Sequence, residues 1–298
     1  MNNYKINSAN KQIKSVTNLA IVTNITLFVV KVVVGFLGGS IALVSDGIHS
    51  LSDMVTDLVV LLGVHFGSKE PDEKHPYGHG WAETVAAGFI ALVLIIVGGA
   101  MVYYAAAAVA QSRISRPHIV VLVAAAGSIF VKEVLYRITK KVAIKCHSSA
   151  LYANAWHQRS DALSSVAVLV GLVSLKAGFS YGDQIAAIAV GLMIIFVGLK
   201  VIGDCFGELT ESAVDSATVE RIKNIINNNS SIHHWHKLRT RVVGREVFLD
   251  LHILVDPALD IASAHEIAES LENAMHEQIS RPVNITVHIE PDTPELRK

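Results

Sequence analysis

The 22-residue run FIALVLIIVGGAMVYYAAAAVA, Phe89 to Ala110, contains no charged side chain. A bilayer core about 30 Å thick needs ~20 mostly apolar residues per helix. This run therefore points to a fold that puts helices through hydrocarbon, where every backbone N–H and C=O must be paired within the segment. Its span is 82–110, and five others reach the length if their polar residues face inward: 16–37, 41–66, 118–142, 149–175 and 183–204. With 51% hydrophobic and 17% charged residues, the chain is also less charged than the ~25% of a soluble domain.

Six spans put both termini on one side. Lys5, Lys11, Lys14, Lys69, Lys74, Arg137, Lys140, Lys141 and Lys145 share that side, and only Arg113, Arg116 and Lys176 face the other. Positive charge marks the cytoplasmic face. The expectation is a multi-pass protein of the cell inner (cytoplasmic) membrane with both termini in the cytoplasm. The polar start MNNYKINSANKQIKS predicts no cleaved leader. Two cysteines, Cys146 and Cys205, cannot build a disulfide framework or a thiolate zinc site. The net charge of −1 is unevenly distributed and argues neither for nor against nucleic acid; the expected partner is the lipid bilayer, with no nucleic acid.

Beyond residue 208 the pattern changes. SATVERIKNIINNN has apolar residues at helical spacing, and KLRTRVV and EVFLDLHILVD alternate like strands around a Gly244–Arg245 turn. SAHEIAESLENAMHEQI opens with a Ser263–Glu266 capping box and reads as a helix, and VNITVHIE reads as a closing strand. The tail PDTPELRK reads as loose. The fold class is thus membrane α-helical with six transmembrane helices, residues 1–208, plus a cytoplasmic α+β domain of order αββαβ, residues 209–298.

The second span, IALVSDGIHSLSDMVTDLVVLLGVHF, carries Asp46, His49, Asp53 and Asp57. A charge at mid-bilayer costs about 2.5–3.5 kcal/mol even on the lenient insertion scale, so such groups are functional candidates by default. His49 and Asp53 are four apart and share a helix face. His157 and Asp161 repeat that spacing in the fifth span, within the shared pattern [Asp/Asn]-x-x-His-x-x-Ser-Asp of DGIHSLSD and NAWHQRSD. Asn154 and Ser164 extend that stripe. Two helices, each with one imidazole and one carboxylate, can close a four-ligand cage, which suits tetrahedral zinc. The plain alternative is interhelical hydrogen bonding. Asp46, Asp57 and Asn154 fit ligand, supporting or vestibule roles alike.

Two more clusters hold metal-compatible groups. Asp72, His75 and His79 fall within eight residues of the loop DEKHPYGH, and His236, His252, His265, His288 and Glu290 lie at strand and helix ends of the cytoplasmic domain. Each is also compatible with solvated surface histidines. Lys132 and Glu133, in KEVLYR, read as structural, snorkelling or paired near the cytoplasmic end of the fourth span. Gly98, Gly99 and Ala105–Ala108 read as close-packing surface.

Together, six spans, H-xxx-D in spans two and five, HPYGHG-AE, KE-LYR and the αββαβ domain resemble the cation diffusion facilitator family of metal–proton antiporters. The resemblance covers most of the chain. It implies a homodimer and a metallochaperone-like cytoplasmic domain. It further implies a transport site of His49, Asp53, His157 and Asp161, a loop site of Asp72, His75 and His79, and a bridging site of His236, His252, His265, His288 and Glu290. Two positions depart from patterns common in the family: Trp81 stands where some members carry Lys, and Glu290 where Asp is frequent.

The expected activity is export of Zn2+ by proton-coupled alternating access, with Cd2+, Co2+ or Fe2+ as other possible cargo. Two imidazoles and two carboxylates favour zinc over manganese, which prefers oxygen-rich sites. Metal and proton compete for histidine near neutrality, which couples the two fluxes. Four ligands without a nucleophile argue against a membrane metalloenzyme. A metal sensor would not need two intramembrane metal helices.

Overall fold

The computed structural model describes residues 2–37, 41–110, 119–176 and 182–297. Inside those ranges the side chains of 2–3, 35, 41–49, 51–52, 119–125, 164–165, 167–176 and 183 are outside the description. The side chains of Asp46, His49, Ser164 and Lys176, and all of Arg113 and Arg116, therefore lie outside the described residues.

Six long helices come first: α1 (Asn2–Leu37), α2 (Ile41–Gly67), α3 (Trp81–Ala110), α4 (Ile119–Cys146), α5 (Ser149–Lys176) and α6 (Gly182–Leu209). Then follow α7 (Ser216–Asn227), β1 (His234–Val243), β2 (Glu246–Val255), α8 (Ile261–Gln278) and β3 (Val283–Pro291). The αββαβ order is as expected. The polar start is helical and continuous with α1, and the KKVAIKCHSS joint is mostly the last turns of α4, ending at His147 with φ 52°. Contacts divide the chain into two units, Lys11–Cys205 and Met1–Asn10 with Phe206–Lys298.

Tyr4–Val34, Trp81–Ala110 and Gln184–Leu209 have the length and apolarity to cross a membrane, counting described residues only. The other three helices carry most of the ionisable groups. α5 packs against α2, α3 and α4, and its first turns are buried on all sides: Ala150, Leu151, Ala153, Asn154, Ala155, His157 and Gln158. Small residues permit this closeness. Gly98 of α3 faces Gly191 and Ile195 of α6, where an added Cβ would lie 2.8 Å from the Gly191 carbonyl oxygen. Gly99 has nothing within 4 Å, so only Gly98 of that pair packs closely. At the α3–α5 contact, the Ser148 hydroxyl donates to the buried Glu83 carboxylate.

The second unit is a three-stranded sheet, β1 antiparallel to β2 and β2 parallel to β3, with α8 as the crossover between β2 and β3. Gly244 takes the positive φ (57°) that the two-residue hairpin demands. Alternate β2 residues Val247, Leu249, Leu251, Ile253 and Val255 join Ile222 and Ile226 of α7 and Leu271 and Met275 of α8 in the core. The cap of α8 is Asp260, whose carboxylate accepts from the Ser263 N–H at 2.8 Å. The Ser263–Glu266 box is displaced because Asp260, one position before Ile261, reaches the free amide directly. Nor is the tail loose: Arg297 donates to both oxygens of Asp292, at 2.6 and 2.7 Å, and His233 lies 3.0 Å from the same carboxylate.

Candidate metal centres

Three groups of described residues bring ligand atoms within 4.8 Å of one another: Asp53, His157 and Asp161; Asp72, His75 and His79; and His236, His252 and Glu290.

The first lies between α2 and α5. Asp53 projects from α2, and His157 and Asp161 from successive turns of α5. His157 Nε2 stands 3.5 Å from Asp53 Oδ1, and its buried Nδ1 has no hydrogen-bond partner. His49 lies one turn before Asp53 on α2. One turn further along, Asp57 meets a different set. Its carboxylate accepts from Asn24 of α1 at 3.0 Å and Asn154 of α5 at 2.7 Å, all three residues being buried. Asp57 and Asn154 thus hold each other and tie α1, α2 and α5 together beside the cluster.

Lys132 is not at the surface of the bundle. Its side chain is 4% exposed, and Nζ donates to Asp53 Oδ2 at 2.6 Å and to Asp161 Oδ2 at 3.0 Å. Of the two expectations for Lys132, snorkelling or pairing, pairing holds: the residue is mid-way along the 28-residue α4 and turns its ammonium inward to two carboxylates. It also belongs to the buried stripe Ser128, Lys132, Leu135, Tyr136, Thr139, Ala143, a helical repeat visible in the sequence. That stripe was the signal for the residue. Glu133 points elsewhere, pairing with Arg137 at 2.8 Å, while Arg159 stacks over Tyr136 with 4.5 Å to the ring centroid.

In the loop, Asp72 Oδ1 accepts from the backbone N–H groups of His75 (2.7 Å) and Lys74 (2.9 Å). The turn brings the His75 and His79 rings beside Asp72, their centroids 4.3 Å apart and their planes tilted by 45°. These backbone bonds, the His75 one first, hold the Asp72 carboxyl below its usual range.

The third group follows from strand register. His236, His252 and His288 form one cross-strand row, and Glu290 is two residues past His288 on the same face. That face is opposite the side chains that pack on α7 and α8. Glu290 Oε1 bonds His252 Nδ1 at 2.8 Å, which is the main cause of a carboxyl held below its ordinary range. His236 Nε2 and Glu290 Oε2 are buried and come within 2.9 Å without a hydrogen bond. Two orphaned atoms at that separation fit a shared metal ion. His288 is 62% exposed, with Nε2 3.5 Å from Glu290. His265 is exposed on α8 and is not among the convergent groups.

The family model described as the cation efflux transmembrane domain matches residues 18–210, and that described as the cation efflux protein, cytoplasmic domain, matches 214–292. An uncharacterised transporter of Methanocaldococcus jannaschii is 35% identical over 91% of this chain and 96% of its own length. The manganese efflux system protein MneP of Bacillus subtilis is 30% identical, covering 93% of this chain and 96% of its own. The metal-bound C-terminal domain of the CzcD transporter from Thermotoga maritima is 25% identical with a TM-score of 0.25, covering 25% of this chain and 87% of that one.

Proposed function

The chain belongs to the cation diffusion facilitator family, and from that premise we propose that it exports Zn2+ from the cytoplasm in exchange for protons, through His49, Asp53, His157 and Asp161. Divalent-cation efflux is the activity of that family, whose members are transporters and not enzymes. The observation that carries the site is the convergence of Asp53, His157 and Asp161 inside the α2–α5 packing.

Facing the cytoplasm, the carboxylates and neutral imidazoles take a dication, and the histidines must be unprotonated to bind it. Facing outward, protons compete for the same nitrogens and favour release. Zinc accepts both nitrogen and oxygen at a tetrahedral site, and a second imidazole from His49 would favour it over manganese.

Asp72, His75 and His79 form a loop site at a span end, suited to transient capture because its ligands are partly solvated. His236, His252 and Glu290 hold a zinc ion on the open face of the cytoplasmic sheet, with His288 and His265 available to complete it across a homodimer. The cytoplasmic-domain family is named for a dimer, which supports pairing.

Manganese is the second reading, favoured by the name of the Bacillus subtilis relative. One experiment addresses both. Purified protein in liposomes with an internal metal dye is given zinc or manganese outside, with and without a pH gradient. Gradient-dependent zinc flux that Asp161→Ala abolishes is the expected result. Manganese flux exceeding zinc flux would replace the cargo, and flux indifferent to the gradient would remove the antiport.

A further inference from the structure

Lys132 places a positive charge where the transport reading puts the cargo. Its ammonium spans Asp53 and Asp161, two of the proposed ligands on two different helices, at 2.6 and 3.0 Å. All three side chains are nearly sealed, with 4%, 2% and 9% exposure. A divalent ion held by both carboxylates cannot share their Oδ2 atoms with an ammonium at these distances, and like charges would repel strongly in this low-dielectric interior. Metal binding and the Lys132 bridge are therefore alternatives.

We propose that Lys132 is a tethered counter-cation: it bridges Asp53 and Asp161 whenever the site holds no metal, and is exchanged for the metal on loading. The inference rests on the transport reading above and specifies how its empty state is held. A metal-free transporter must return through the bilayer with its carboxylates still in place. Leaving buried carboxylates without a partner is strongly unfavourable. Lys132 supplies charge from within the protein, and it also holds α2 and α5 at ligand spacing through α4. Tyr136, buried on the same stripe, packs on Trp156 of α5 with ring centroids 5.6 Å apart and accepts from Arg159 of α5 at 2.8 Å, contacts that orient α4 toward α5. The arrangement also gives specificity against single charges, since a monovalent ion offers no gain over the ammonium it must displace.

A plain scaffold role and this one diverge in transport mode. Net efflux requires the empty carrier to return, whereas exchange of labelled zinc for unlabelled zinc across the bilayer returns it loaded. In liposomes, Lys132→Gln should lower net zinc flux at least about tenfold relative to zinc–zinc exchange, with zinc affinity unchanged or raised. Lys132→Arg, which retains the charge, should keep the parental ratio of net flux to exchange. This variant carries the test alone if the glutamine protein does not fold. Equal loss of both modes, or no loss of either, would overturn the inference, as would weakened zinc binding or a fallen ratio in the arginine variant. Asp161→Ala runs alongside: zinc flux surviving in that protein would sink the site assignment itself, whatever Lys132 does.

Discussion

The intramembrane and cytoplasmic clusters use the same donors, imidazole and carboxylate, in different surroundings. Asp53 and Asp161 are sealed between helices and bridged by an ammonium. Glu290 instead stands on the sheet face away from α7 and α8, bonded to His252 at 2.8 Å, with His288 beside it 62% exposed. Between packed helices a carboxylate needs a cation, a proton or fixed donors such as the two asparagines on Asp57, so metal leaving Asp53 and Asp161 must be replaced by another partner. At a wet surface, water and a histidine N–H suffice, and metal can come and go without a substitute. Four variants can break or sharpen that contrast.

The largest effect is expected at the sealed site. Asp53→Ala removes a ligand and leaves Lys132 with one carboxylate, so zinc flux in liposomes should fall by more than ~100-fold, beyond the usual loss for a supporting residue. Flux within tenfold of the parent would place the cargo elsewhere. Next is selectivity at the same site. His49→Asp exchanges nitrogen for oxygen and should broaden transport toward manganese, read as the zinc-to-manganese flux ratio. An unchanged ratio would separate His49 from the metal.

Much of this organisation was legible in the sequence. Span length, the repeated His-xxx-Asp spacing and period-2 alternation depend on neighbours in the chain, so α2, α5 and the order αββαβ could be read directly. His252 and His288 could be anticipated on adjoining strands because each lies on a clear alternating segment. What escaped needed three dimensions. Asn24 became a partner of Asp57 only where α1 comes alongside α2 in three dimensions. Lys132 could be read as paired, but its partners Asp53 and Asp161 lie on two other helices and appear only once α4 packs against α2 and α5. His236 joins its row beside a register shift and Lys237 at φ 52°, irregularities that alternation does not announce.

At the open site the effects should be smaller. His252→Ala removes both a donor and the Glu290 hydrogen bond. It should lower zinc stoichiometry by one per chain and loosen self-association in zinc, measured by metal analysis and sedimentation, while the site in the membrane still transports. Unchanged stoichiometry would leave these histidines as surface groups.

The smallest effect concerns acid. Arg297, with His233, holds the Asp292 carboxyl down to about 2. A depressed acid stabilises the fold above its unfolded value of ~3.9, and that contribution disappears as pH falls through about 2. Arg297→Ala should raise the acid midpoint of the cytoplasmic sheet's unfolding, followed by circular dichroism. An identical acid profile would mean the tail adds nothing to stability.

The most direct test of the central claim is to count and characterise zinc in the membrane site. The starting protein lacks the other two centres through His75→Ala, His79→Ala, His236→Ala and His252→Ala. X-ray absorption on its zinc-loaded form should show one zinc per chain with mixed nitrogen and oxygen ligands, the nitrogens at ~2.0–2.1 Å. Adding Asp161→Ala should remove that ion. Zinc that remains at full stoichiometry, or a spectrum without histidine, would contradict a transport site built from α2 and α5.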